Sequence, residues 1–317
     1  MRDLRAAALE TLRPKTFFDF LRGTMRDLGL GGEEALGIGV YFVAVSSSQS
    51  YPLRLEIQEK TEGTAKYILQ KVSNLLLPGS VITINADRDK DWAQFSAAHE
   101  QKIVFIPQWQ QTREKGGYAR LAIQQDRLIR AIGIEEEERV TENCEGVEAA
   151  FACISRDRFP EWKRRSRRLT MRQQEGTHHS PTNQRTLRSD DIQMWHQVQR
   201  LLKDRSRLPI LFPDWEQIAI EQMCEADERA AVYVPTFLQA WRTMCLIRSF
   251  QSGEDQERRS MKADFLDLAA ATLLSKALFR EARWFPSPKN LFNRISEVGD
   301  QTGLLHPLTG KGVRYKH

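Results

Sequence analysis

The chain has 317 residues, of which 41% are hydrophobic and 28% charged, with a net charge of +5 and a pI near 9.0. That is the composition of a globular chain, and its length suits about two domains of roughly 100–200 residues each. No apolar run approaches the ~20 residues of a membrane-spanning helix, which excludes a helical membrane protein; the longest, Val40–Val45 and Ala269–Leu274, suit buried elements.

The N-terminus, MRDLRAAALETLRPK, has charges where an export signal needs an apolar core, so a cytoplasmic location is expected. Residues 1–36 read as a helical segment. Leu4, Ala8, Leu9 and Leu12 recur at helical spacing, and Phe17, Phe18, Leu21, Met25 and Leu28 resume it after Pro14. Gly29, Gly31 and Gly32 close the segment. Val40–Val45 fits either a helix or a strand.

From here to residue 178 the texture is that of strands alternating with helices. Leu53, Leu55 and Ile57 alternate with polar residues, Thr64–Leu76 is amphipathic, and Ser80–Asn85 is β-branched. Trp92, Phe95 and Ala98 suggest a helix, Lys102–Ile106 a buried strand, residues 117–132 a helix and Val147–Ile154 a strand. Such alternation predicts βαβ units and a parallel sheet.

Residues 173–190 are polar with Gly and Pro, as in a linker. Residues 179–285 then read as helical, with Ile192–Leu202, Trp215–Met223, Val232–Phe250 and Met261–Trp284, and with no strand pattern. Trp195, Trp215, Trp241 and Trp284 are expected in the core. Residues 286–317 form a basic tail, a partial helix-turn-helix in outline, in which Lys289, Arg294, Lys311, Arg314 and Lys316 offer phosphate contacts.

The four cysteines, Cys144, Cys153, Cys224 and Cys245, form no CxxC pair, and His178–His179 sits in a polar stretch. No metal or other cofactor is expected. Basic residues concentrate between Arg156 and Arg172 and again in the tail, while Glu135–Glu138 is acidic. Two basic clusters point to a polyanion partner.

The chemistry-bearing stretch follows the strand at Leu53–Gln58: Glu59-Lys60-Thr61-Glu62-Gly63-Thr64-Ala65-Lys66-Tyr67. This is the place of a phosphate loop, GxxxxGK[ST], whose backbone N–H groups wrap phosphates while its lysine and hydroxyl meet the terminal phosphate and Mg²⁺. Gly63, Thr64 and Lys66 fit. Lys60 and Ala65 replace the two glycines, and Tyr67 replaces the metal-binding hydroxyl. After Lys102–Ile106, where a P-loop enzyme carries Asp-Glu, stand Pro107 and Gln108.

The order of these parts resembles the AAA+ helicase-like ATP-binding proteins of bacterial mobile elements and prophages, distant relatives of MCM-type helicases. The resemblance rests on GGEEALGIGVYFVAVSSSQSYPLRLEIQ, GTAKYIL, KIVFIPQ and VEAAFACISRDRF with the following RRSRRLTM. It implies a P-loop NTPase/AAA+-like α/β core over 37–178, flanked by the N-terminal helical segment and a mostly α-helical C-terminal region. It also implies a sensor-like role for Ser155, subunit or DNA contacts for Arg164, Arg165, Arg167 and Arg168, DNA as partner, and assembly with itself or with another protein of the same system. The departures at Lys60, Ala65, Tyr67, Pro107 and Gln108 predict a subunit without ATP hydrolysis. A weakly active ATPase, its metal held by Asp87 or Asp89, and a scaffold without nucleic-acid contact are the alternatives.

Overall fold

The computed structural model describes residues 3–14, 16–49, 52–58, 63–83, 103–106, 128–132, 140–144, 150–154, 169–172, 187–213, 215–226, 228–251 and 260–302. Three helices open the chain. The Asp3 carboxylate accepts from the amides of Arg5 and Ala6 at 2.9 and 3.2 Å and so caps α1, Leu4–Leu12. In α2, Phe17–Asp27, the four-residue spacing of Phe17, Leu21 and Met25 makes one buried stripe. Helix α3, Glu34–Ser46, resolves the ambiguous apolar run: it is a helix with eleven residues buried. It spans the change of texture at residues 36–37.

A parallel sheet follows. Strand β1, Arg54–Gln58, leads into α4, Thr64–Ser73, and then into β2, Val81–Thr83, and β3, Ile103–Ile106. Strands β4, Leu128–Ile132, and β5, Val140–Cys144, pair antiparallel as a separate hairpin. Strands β6, Ala150–Ile154, and β7, Leu169–Arg172, return to the main sheet. Its order is β2-β3-β6-β1-β7, with every neighbouring pair parallel. The expected parallel sheet is therefore present. The expected helix over residues 117–132 is not, because its last five residues form β4. Leu128, Ile129 and Ile132 suit a helix stripe, but Leu-Ile-Arg-Ala-Ile is also a short apolar run that a strand accepts, and pairing with β5 decides it.

Register sets one face of the sheet. Leu55 lies beside Leu169 and Ile57 beside Met171, while Leu55 also pairs with Ala152. Leu55, Ile57, Ile103, Phe105, Leu169 and Met171 are all buried. Helix α3 packs on β1, β6 and β7 and on α4. Its Gly39 lies so close to β7 that a Cβ there would run into the Met171 sulfur and come within 3.4 Å of the Phe279 ring.

The remaining helices are α5, Ser189–Arg205; α6, Glu216–Ala226; α7, Val234–Arg248; α8, Phe265–Leu278; and α9, Pro288–Thr302. Helix α5 packs on α1, and α7 on both α8 and α3. Trp195 meets Phe17, Phe20 and Tyr41, and Trp241 meets Phe212, Trp215 and Phe237. Trp195, Trp215 and Trp241 are buried as expected, whereas Trp284 is half-buried. The expectation of no strand in this half is corrected by a two-stranded parallel pair, β8, Ile210–Leu211, and β9, Met261–Lys262. Two-residue strands are too short to show an alternation.

Candidate functional site

The sheet places β1 at a reversal of chain order. From β1 the chain crosses to the far edge at β2, and β7 enters on the other side of β1. In open parallel sheets, ligands bind at the carboxyl ends of strands next to such a reversal. Those ends lie level here: Ile106 pairs with Cys153, Ile57 with Ile154, and Gln58 with Arg172.

Gly63 stands between this edge and α4. Its φ is +85° and its ψ is −9°, a left-handed conformation that costs an L side chain roughly 1–2 kcal/mol. A Cβ at Gly63 would meet nothing within 4 Å, so the glycine is needed for backbone shape and leaves open space at the helix start. Thr64 and Ala65 are buried, Lys66 is exposed and Tyr67 is half-buried. Ile68, Leu69 and Val72 anchor α4 in the core. The first turn therefore offers backbone donors and the positive end of the helix dipole, with the Lys66 ammonium exposed beside them. The Tyr67 ring is occupied from the other side, with Lys71 Nζ 5.2 Å from its centre.

Of the residues singled out in the sequence, Gly63, Thr64, Ala65, Lys66 and Tyr67 thus form one local unit. Lys60, Pro107, Gln108, Ser155, Arg164, Arg165, Arg167 and Arg168 lie outside the described residues, as do Lys311, Arg314 and Lys316. Lys289 and Arg294 are exposed on α9, which packs on α6 and α8 rather than on the sheet. Arg294 is 3.7 Å from the exposed Glu225. Among the described residues, no group of three His, Cys, Asp or Glu side chains comes together, and no helix is long and apolar enough to cross a membrane.

A second polar cluster went unread in the sequence. Asp264 and Asp267 cap α8 reciprocally: the Asp267 amide donates to Asp264 at 2.7 Å, and the Asp264 amide to Asp267 at 3.0 Å. Arg248 of α7 donates to Asp267 at 2.5 Å and to Asp264 at 3.3 Å. Burial, then the Asp264 carboxylate, push Asp267 up to about 7 against the pull of Arg248. Burial and Asp267 likewise push the adjacent Cys245 thiol upward. The Asp-x-x-Asp spacing was the available signal. No ligand-sized space is associated with the cluster, and it reads as a clasp between α7 and α8.

No protein-family model matches the chain, and no curated protein matches its sequence. Its fold is similar to solved structures, among them the crystal structure of a full-length MCM homolog from Methanopyrus kandleri, with a TM-score of 0.56 at 11% identity. The alignment covers 89% of this chain and 62% of that one, so the chain spans less than two thirds of its neighbour's length. The likeness is one of fold.

Proposed function

We propose that this chain is an AAA+-like subunit that contacts DNA and assembles with itself or with a partner protein without hydrolysing ATP. The observation that carries the reading is the junction of β1 and α4. A left-handed Gly63 opens the helix beside a sheet reversal and Lys66 is exposed on the first turn, as a phosphate cradle requires. The next side chain, where a small hydroxyl would hold Mg²⁺, is Tyr67, whose ring packs against Lys71. A phenol is too long to take over that contact directly. The similarity in fold to an MCM homolog supports the AAA+ side of the reading. The resemblance noted in the sequence suggests mobile-element replication, transposition or defence as its setting.

The basic segment with Arg164, Arg165, Arg167 and Arg168, and the tail with Lys289, Arg294, Lys311, Arg314 and Lys316, are the proposed DNA contacts. The test has two parts. Purified chain with ATP and Mg²⁺ should show no turnover above that of Lys66→Ala; turnover abolished by Lys66→Ala would overturn the non-catalytic reading. DNA affinity should fall with salt at about −0.9 log units per phosphate neutralised, and an affinity indifferent to salt would remove the DNA contact.

A further inference from the structure

Helix α8 is turned inside out. Its inward face holds Leu268 and Ala271 together with Thr272 and Ser275, and these two hydroxyls find no hydrogen-bond partner among the described residues. Its outward face carries Leu266, 51% exposed, and Leu273, 62% exposed, with Ala269 and Ala270 half-exposed and Ala277 exposed. Lys276 is the one charged residue on that face. Buried hydroxyls normally have partners, and exposed leucines on a monomer are normally scattered. Here both departures fall on one helix.

The exposed residues also have a period. Leu266 and Leu273 are seven apart, and so are Ala270 and Ala277, giving leucine and alanine alternately at spacings of four and three. That is the seam by which one helix receives another, with alanines allowing close approach of the backbones. The backbone groups of α8 are satisfied within the helix, so the surface has no edge to offer a strand.

The seam runs into a cleft of about 410 Å³ between α2, the start of α3, β7 and α8. Ala277 belongs to both. Leu274, Leu278, Phe18 and Met171 give the cleft an apolar wall, and Arg22 stands on its rim. Leu274 and Leu278 share the cleft side of α8, so Lys276 between them projects on the far side of the seam. Arg26 in the same rim is tied to Glu34 at 2.7 Å, and Asp19 and Glu33 are the other carboxylates lining it. Arg280, exposed, lies just beyond the helix end.

We propose that this seam and cleft dock an amphipathic helix of another protein, with leucines at heptad spacing and carboxylates along its flanks. The leucines lie along the Leu266–Leu273 seam and one large apolar side chain enters the cleft. The flanking carboxylates meet Lys276, Arg22 and Arg280. A second copy of the chain would bring the same basic border against itself. This surface is independent of the β1–α4 junction and of whether that junction holds nucleotide.

The test uses full-length protein and a fluorescent synthetic helix of about 18 residues, long enough to be helical, with leucines at heptad spacing and glutamates on both flanks. A twin peptide carries lysines in place of the glutamates. Fluorescence anisotropy should show saturable binding of the glutamate peptide and at least about tenfold weaker binding of the lysine twin. Leu273→Glu should abolish binding with the fold intact by circular dichroism, and Lys276→Glu should narrow the gap between the twins. Equal affinity for both peptides, or unchanged binding to Leu273→Glu, overturns the proposal. Two other results also overturn it, by reassigning the surface. One is sedimentation showing a dimer of the chain that Leu273→Glu dissolves, which gives the seam to a second copy. The other is binding to phosphatidylserine–phosphatidylcholine vesicles that Leu273→Glu abolishes, which gives it to a lipid surface.

Discussion

Helices α3 and α8 are the two most apolar in the molecule's described part, and they have opposite fates. Neither has a polar stripe that would orient it. Helix α3 is enclosed by α2, α4, α5, α7, α8 and the strands β1, β6 and β7, and its residues from Leu36 to Ser46 are all buried. Helix α8 packs on α7, α9, α3 and the 3-10 turn at Glu281–Trp284, and leaves Leu266 and Leu273 in solvent. Similar composition therefore gives a central pillar in one place and an open face in the other. What differs is how many elements surround the helix, a property of the topology rather than of the helix's own sequence.

The largest effect that would break this comparison comes from α3. Phe42 is fully buried and lies 6.5 Å, ring to ring, from Phe279 after α8. Phe42→Ala should lower unfolding free energy by about 3–5 kcal/mol, the range for an aromatic deleted from a well-packed core. Urea titration reads it as a fall in midpoint. A loss below about 1 kcal/mol would mean that α3 is not the pillar its burial indicates.

A smaller effect sharpens the comparison at the N-terminus of α8, where the Asp264–Asp267–Arg248 clasp holds the helix to α7. Asp267 is raised from 3.8 to about 7, so the folded state keeps a proton that the unfolded state has released. Its contribution is whole below about 3.8 and is lost as pH rises through about 7. Asp267→Asn cannot titrate. The parent should therefore lose stability relative to the variant between those pH values, by on the order of 1–3 kcal/mol. Parallel stability curves for the two proteins would show that Asp267 is ionised throughout, with Arg248 outweighing burial.

The same contrast explains which parts were legible in the sequence. Strands β1, β3 and β6 were readable because their alternation or apolar runs are local. So was the Gly63–Lys66 unit, whose residues are contiguous. The level ends of β3, β6 and β1 were not, because residues about a hundred positions apart in sequence meet only through pairing. The run at Val40–Val45 carries no period, and enclosure alone makes it a helix. In α8, periodicity misleads outright: Thr272 and Ser275, one turn apart, read as a solvent face, yet both are buried while Leu273 between them is exposed. Local pattern orients a helix only when the fold buries the face that the pattern favours.

The smallest expected effect is therefore the most diagnostic. Leu273 is the most exposed large apolar side chain among the described residues, so truncating it to a polar group removes almost no buried area in the isolated chain. Leu273→Ser should leave the urea midpoint within about 0.5 kcal/mol of the parent, as at an ordinary surface position. The same change at Leu268, fully buried on the inward face of α8, should cost several-fold more. If the two variants instead lose comparable stability, Leu273 is covered in the free protein. The outer face of α8 would then belong to the core as the whole of α3 does, and the two helices would no longer differ.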